Sequence, residues 1–293
     1  MVGILTYSEP STLESLLSLL KTRGDLSLLG GGTDLLVKAN KGITSPRNLI
    51  SLKSVEEMQN FQLEKDKIII GSMVTLDRLT RSILLREKAL CLAEAAGEIG
   101  SPQIRHRGTI GGNIANASPA ADTVPPLMAL NSKVKLVSTE GEKQIALEDF
   151  FSGPGKTILG QGQVIKEIII PTPKNNQGSA FLKLGKRNAL AISLVNVSAV
   201  VAADIQAMSI IEARIALGAA APTVVLADAA AEKLKGREIS EALLESAAEA
   251  VWQDIQPITD IRTSAEYRRE MSKVITKRAL IKAINRAFGR KLL

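Results

Sequence analysis

The stretch Gly108-Thr109-Ile110-Gly111-Gly112-Asn113-Ile114-Ala115-Asn116-Ala117-Ser118-Pro119-Ala120-Ala121-Asp122 restricts the fold of this chain more than any other. Glycine frees the backbone for positive φ and lets it approach a ligand closely. Asn, Ser and Thr add short donors and acceptors. Such a segment makes poor core and poor helix, so it reads as a loop suited to cradling a polar ligand. The apolar Ile110 and Ile114 within it argue that it packs against the protein instead of linking two parts. A second turn, Gly30-Gly31-Gly32-Thr33-Asp34, lies much earlier, and the two are read as a pair.

The Gly30–Asp34 turn follows a strand and offers consecutive amides that no side chain shields, which suits an anion. It lacks the third glycine of Gly-x-Gly-x-x-Gly and the Lys-Ser/Thr of a P-loop, so both nucleotide motifs fail. Taken alone, it fits a tight strand-to-loop turn as well as a phosphate site. In the later stretch the glycines again offer amides for phosphate oxygens. Asn113 and Asn116 either bond ligand hydroxyls or close the loop on itself, and Asp122 suits a sugar hydroxyl. Arg105, His106 and Arg107, just before it, either balance a diphosphate or form a solvated basic turn. No Ser or Cys nucleophile pairs with His106, and no pair of carboxylates stands out for acid–base work.

Composition removes other classes. The chain has 293 residues, one cysteine (Cys91) and one histidine. A disulfide within the chain, a four-cysteine zinc or iron–sulfur site and a multi-histidine metal site are therefore excluded, and Cys91 reads as a small buried apolar residue. Aromatic residues are 3% of the chain, too few for a stacking platform for single-stranded nucleic acid. There is neither a signal-peptide pattern at Met1–Tyr7 nor an apolar run of membrane-spanning length, so the expected location is cytoplasmic. From Ser264 to Leu293 nine basic residues face two acidic ones, matching the excess of +7 for the whole chain. This places the basicity on one terminal helix, with its cations around several faces as a solvated or protein-docking surface. No nucleic-acid partner is expected.

Along the chain, Ser11 and Glu14 have capping-box spacing before a helix with Leu13, Leu16, Leu17 and Leu20 on one face, ending at Gly24. Strands are expected at 26–29, 48–52, 67–70, 133–137, 143–147 and 164–170. Helices are expected at 87–99 and 123–130, with Thr75 capping another. The segment Pro171–Gly178 is the strongest loop signal. After it, 180–186, 194–203 and 209–217 read as an antiparallel meander, and 223–234, 240–255 and a last helix capped by Ser264 read as helices.

Gly31-Gly32-Thr33-Asp34, then Thr109-Ile110-Gly111-Gly112-Asn113 with Ser118-Pro119 and Asp122, resemble the FAD-binding medium subunits of the molybdenum hydroxylases, the xanthine and carbon monoxide dehydrogenases among them. Phe181-Leu182-Lys183, Ala213–Ala219, Glu232–Gly236, Tyr267-Arg268-Arg269 and Lys277–Leu280 extend the likeness over nearly the whole chain. The resemblance implies an α+β fold: a two-subdomain FAD-binding unit of the vanillyl-alcohol-oxidase (PCMH) type over 1–173, with subdomains of about 1–55 and 56–173. A unit of a three-stranded antiparallel sheet with helices follows over 178–293. It implies that Leu29, Gly30, Gly31, Gly32, Thr33 and Asp34, with Thr109, Ile110, Gly111, Gly112 and Asn113, wrap the FAD diphosphate through their amides. Asp122 bonds the ribityl chain, Ile165 touches the cofactor from a strand end, Lys183 tunes the flavin, and Ser118 is a supporting contact. It implies molybdopterin and [2Fe–2S] clusters on partner large and small subunits, and electron transfer to NAD or another acceptor. The alternatives are a stand-alone FAD oxidoreductase of the same fold and a non-enzymatic nucleotide-binding protein.

Overall fold

The computed structural model describes residues 4–22, 25–174 and 176–292. Its first sheet is parallel: β1 (Thr6–Ser8), β2 (Ser27–Leu29) and β3 (Asn48–Ser51) lie in the order β1-β3-β2. Parallel neighbours need a crossover. The neighbours β2 and β3 are joined through a helix after the first Gly-rich turn, and β1 reaches the far edge through α1 (Leu13–Thr22), whose Leu16 and Leu20 bury with Ile50, Val55 and Met58. The capping box closes one residue later than the Ser11–Glu14 spacing suggests. Ser15 N–H donates to Thr12 Oγ1 at 3.2 Å and Thr12 N–H to Ser15 Oγ at 3.3 Å. Glu57, distant in sequence, accepts the Leu13 N–H at 3.1 Å, a partner that local spacing does not reveal. The expected stop at Gly24 lies outside the described residues. The helix α2 (Leu35–Asn40) follows the first Gly-rich turn.

The second sheet is antiparallel. It contains β4 (Phe61–Glu64), β5 (Lys67–Gly71), β6 (Lys133–Ser138) and β7 (Gly141–Ala146) and, after the hairpin β8 (Phe151–Gly153) and β9 (Lys156–Thr157), β10 (Val164–Pro171). The order is β4-β5-β10-β6-β7, with β10 between β5 and β6. Between β5 and β6 the chain forms α3 (Leu76–Arg81), α4 (Ile83–Lys88), α5 (Leu90–Gly97), α6 (Pro102–Arg107), α7 (Ile110–Ala115) and α8 (Val124–Ala129). The single helix expected over 87–99 is broken at Ala89, which leaves the helical region at φ −147° and ψ 52°. Cys91 is fully buried on α5, and burial pushes its thiol up to about 11, which keeps it protonated and unreactive. Arg105–Arg107 belong to a helix, not a turn, because Ser101 accepts the Ile104 N–H and Pro102 opens the first turn.

The larger departure is α7. The Gly-rich stretch contains a helical turn and a half where glycine content predicts loop. Thr109 caps it, accepting the Gly112 N–H at 3.1 Å. Ile110 and Ile114 are four residues apart and both fully buried. Their spacing, which in sequence argued only that the segment packs, is the spacing of one helix face. Burial of two isoleucines outweighs the low helix propensity of two glycines.

The third sheet follows as the meander expected from sequence: β11 (Gln177–Leu184), β12 (Val195–Asp204) and β13 (Ser209–Gly218), extended by the short β14 (Val225–Leu226) and β15 (Arg237–Glu238). The helices α9 (Asp228–Leu234), α10 (Glu241–Ala250) and α11 (Ala265–Ala287) complete the chain. Both α9 and α10 are shorter than expected, since Val225–Leu226 joins the sheet and Val251–Gln253 tightens into a 3₁₀ turn. Ser264 caps α11 as expected. Strand β12 is buried along nearly its whole length. Val197, Ala199 and Val201 face one core with Ala279, Leu280 and Ile284 of α11, while Val200 joins Phe181 and Ala216 in the core of the second sheet. The third sheet thus carries a core on each face. Among the described residues, no helix is long and apolar enough to cross a membrane.

Candidate functional site

The two Gly-rich stretches meet. A Cβ on Gly31 would fall 1.8 Å from the Arg107 carbonyl oxygen and 2.9 Å from Gly108 Cα. A turn with any side chain there could not lie against the segment that enters α7. The turn and α7 become two walls of one cleft of about 510 Å³, within the range of small-molecule sites. Gly30, Gly31, Gly32, Thr33 and Asp34 line one wall; Thr109, Gly112 and Asn113 line the other. Leu28, Leu76, Ile99 and Ile104 add apolar surface that sequence reading did not pick out, because their signal is ordinary core patterning.

The two walls differ in what they offer. Among the described residues, the backbone N–H groups of Gly30, Gly31, Gly32 and Thr33 have no protein acceptor, whereas Gly32 and Asp34 already accept from Leu36 and Lys38. An orphan run of amides at the mouth of a cleft calls for an external acceptor. On the α7 side the glycine amides are occupied, and among residues 108–113 the Thr109 N–H alone has no protein acceptor. Ile110 N–H donates to Val74 O at 3.0 Å, Gly111 N–H to Ser72 O at 2.8 Å and Asn113 N–H to Thr109 O at 3.0 Å. The expectation that the glycines of both stretches present amides to phosphate is therefore corrected: the first stretch presents them, and the second is closed by helix formation and by pairing with residues 72–74. Gly111 is needed for contact instead, since its Cβ would lie 2.5 Å from Ser72 Cβ. Asn113 Oδ1 accepts from Thr123 Oγ1 at 2.6 Å, which fixes the side chain on the cleft wall.

The other expected residues lie off this cleft. Leu29 ends β2, where its carbonyl accepts the Leu52 N–H. Ile110 and Ile165 are core residues, Ile165 on β10 beside a register irregularity. Ser118 is half-buried, and its hydroxyl accepts the Ala120 N–H. Asp122 is 7% exposed and fully engaged by the third sheet. Its Oδ2 accepts from Lys183 Nζ at 2.6 Å, and its Oδ1 accepts from Ser193 Oγ at 2.6 Å and Asn196 Nδ2 at 2.7 Å. Lys183 Nζ also donates to Glu98 O at 3.1 Å, next to the cleft residue Ile99. Asp122 and Lys183 thus form one buried pair near the cleft's end, a link that sequence reading treated as two separate contacts. Arg105 Nη1 donates to the carbonyls of Ile99 and Gly100, and His106 Nδ1 lies 3.4 Å from Asp77 Oδ2, so both are held away from the cleft lining. Lys38, which sequence reading missed, lines the cleft. Its Nζ is 2.6 Å from Asp34 Oδ2 and donates to Asn116 Oδ1 at 2.8 Å. The four-residue spacing from Asp34 on α2 was the available signal.

The donor set fits a phosphate-bearing cofactor such as FAD: orphan amides and one ammonium for a diphosphate, apolar walls for a ring, and polar groups at the ends. Comparison with known proteins agrees. Residues 3–173 match the family described as the FAD binding domain in molybdopterin dehydrogenase, and residues 180–283 match the CO dehydrogenase flavoprotein C-terminal domain. The xanthine dehydrogenase FAD-binding subunit of Escherichia coli O157:H7 is 30% identical over 292 residues, 99% of each chain. The carbon monoxide dehydrogenase medium chain of Hydrogenophaga pseudoflava is 29% identical over 94% of this chain and 95% of its own. Among solved structures, carbon monoxide dehydrogenase from Hydrogenophaga pseudoflava superposes with a TM-score of 0.93 at 30% identity, covering 98% of this chain and 99% of that one. Quinoline 2-oxidoreductase from Pseudomonas putida 86 gives 0.92 at 26% identity, covering 98% and 99%. A glycine turn with free amides, a capped helix packed against it and family matches along nearly the whole chain lead to one assignment: this chain belongs to the FAD-binding medium subunits of the molybdenum hydroxylases, a family of oxidoreductases.

Proposed function

We propose that this chain is the electron-transfer subunit of a cytoplasmic molybdopterin-dependent dehydrogenase, receiving electrons from [2Fe–2S] clusters on a partner and delivering them to NAD or another acceptor. The observation that carries the reading is the cleft at which Gly30–Asp34 and Thr109–Asn113 converge. When bound, FAD couples one-electron centres to a two-electron acceptor. The chain's own part is to hold and orient it. The amides of Gly30 to Thr33 hold the diphosphate, Asn113 bonds hydroxyls, and the Asp122–Lys183 pair sets the charge at the far end. Lys183 tunes the flavin from there, with Asp122 keeping it in place. The single cysteine bars a four-cysteine cluster from this chain, so the metal centres belong to partners. The relatives' names, a FAD-binding subunit and a medium chain, support an assembly with a large molybdopterin subunit and a small iron–sulfur subunit. We place the boundary between a cofactor unit, 1–173, and a second unit, 178–293, in the segment joining β10 to β11.

The test is to co-express the chain with the products of its genomic neighbours and record the visible spectrum, flavin stoichiometry, iron and molybdenum of what co-purifies. Flavin bands on this chain with iron and molybdenum on its partners are expected. A folded chain that neither carries flavin nor takes up added FAD overturns the cofactor assignment. A flavin-loaded chain that turns over alone as an oxidase overturns the assembly.

A further inference from the structure

We propose that Lys38 is the charge gate of the cleft: it neutralises Asp34 and supplies the cation that a cofactor's diphosphate meets, so that phosphate-bearing ligands are admitted. This rests on the reading of the cleft as the FAD site.

Among the described residues lining the cleft, Asp34 is the acidic side chain and Lys38 the basic one. Asp34 closes the turn whose orphan amides attract an anion, so an anion arriving there meets a like charge at the same turn. Lys38 answers it from one helical turn away, 2.6 Å from the carboxylate. The pair is solvated, with the side chains 40% and 50% exposed, and such pairs add little to stability. Its placement is therefore not explained by folding energy. The second bond is more telling. Asn116 Oδ1, 78 residues on, accepts from the same ammonium at 2.8 Å, which holds Lys38 against the end of α7. An ammonium has three donors. Asn116 takes one, the Asp34 carboxylate lies against the ammonium from the other wall, and a donor remains for a phosphate oxygen. Lys38 is thereby fixed between the walls with one donor in reserve and the neighbouring negative charge cancelled.

The experiment uses the full apo chain, titrated with FAD, ADP and riboflavin by calorimetry or flavin fluorescence at two salt concentrations. Lys38→Met is expected to weaken FAD and ADP about tenfold, the scale of one hydrogen bond to a charged group. Riboflavin, which has no phosphate, is expected to bind as it does to the parent chain, and the salt dependence for ADP to become shallower. Lys38→Arg keeps the charge and is expected to stay within about threefold. Asp34→Asn added to Lys38→Met is expected to recover most of the loss, because the uncancelled carboxylate is gone. A parent chain that binds neither FAD nor ADP overturns the cofactor reading and this proposal with it. A parent chain that binds both while Lys38→Met binds equally well overturns the role of Lys38 alone. A loss in Lys38→Met that Asp34→Asn does not relieve, or that extends equally to riboflavin, overturns it too, by showing a structural role.

Discussion

At Gly31 the approach of two backbones leaves no room for a methyl group. The obstructing atom is a carbonyl oxygen of the Arg107 main chain, so no side-chain rotation relieves it. Gly31→Ala is expected to destabilise the protein by about 2–3 kcal/mol, the cost of overpacking, and to abolish FAD retention. At Gly30 the added Cβ would lie 3.0 Å from Thr109 Oγ1, a side chain that can turn aside at the cost of its cap on α7, so Gly30→Ala is expected to fold with a loss of at most about 1 kcal/mol. Denaturant titration and flavin stoichiometry of the two variants check the contrast. A second prediction concerns the buried pair. Lys183→Met leaves Asp122 with Ser193 and Asn196 but without its cation, and is expected to cost about 3 kcal/mol, as when one partner of a buried ion pair is removed. Adding Asp122→Asn is expected to restore most of that stability, measured as a double-mutant cycle in urea. Residue types at both places were legible in the sequence, but their partners were not. Nothing local to Gly31 points to Arg107, and nothing near residue 122 points to residue 183.

Elements were legible where burial and local pattern agree. The meander β11–β13 follows from long apolar runs bounded by turns, and α11 from its Ser264 cap and recurring apolar positions. Elements were misread where tertiary contacts override local preference. In α7 glycine argued for loop, and two buried isoleucines one helical turn apart decided for helix. In α1 Glu57, from another segment, joins the cap. The cap of α7 is testable. Thr109 Oγ1 satisfies the Gly112 N–H, so Thr109→Ala is expected to cost about 1 kcal/mol and Thr109→Ser almost nothing. Chemical denaturation of both variants measures this, and the two become equally destabilised if the threonine methyl group, which both lack, and not its hydroxyl, is what matters.

For the molecule as a whole, the charge count from sequence says where the cations are but not what they pair with. Five of the seven cations of α11 have counter-charges supplied by other segments. Lys273 and Lys277 meet Glu241, Glu245 and Glu249 of α10, Arg268 meets Asp260, and Lys282 and Arg286 meet Glu94 of α5. Hydrogen bonds from Lys273 and Lys277 lower Glu245 to about 2. Carboxylates of the body are thus drawn to the last helix, while its Arg269 and Arg278 remain exposed. Glu94 fastens three elements, accepting from Lys282 and Arg286 of α11 and from the Phe181 N–H of β11. Burial by itself would raise its carboxyl, but the bonds from Arg286, Lys282 and the Phe181 amide outweigh it and hold it below the usual 4.5. A depressed folded value means that this stabilisation is full above about pH 4.5 and is lost as the pH falls through the folded value. Glu94→Gln is expected to be less stable by about 3 kcal/mol near pH 7, with the gap to the parent chain closing as the pH falls below 4.5. Thermal unfolding of both proteins across that range checks the sign. The Asp122 network also bears on how the chain comes into being. Chains tend to fold from the N-terminus as they are synthesised, yet the counter-charge of Asp122 is Lys183, and two of its hydrogen-bond donors are Ser193 and Asn196. A nascent chain halted before residue 183 has a carboxylate destined for burial and no cation to bury it with, so the earlier half waits on the later half and the ribosome's progress sets when the first half can settle.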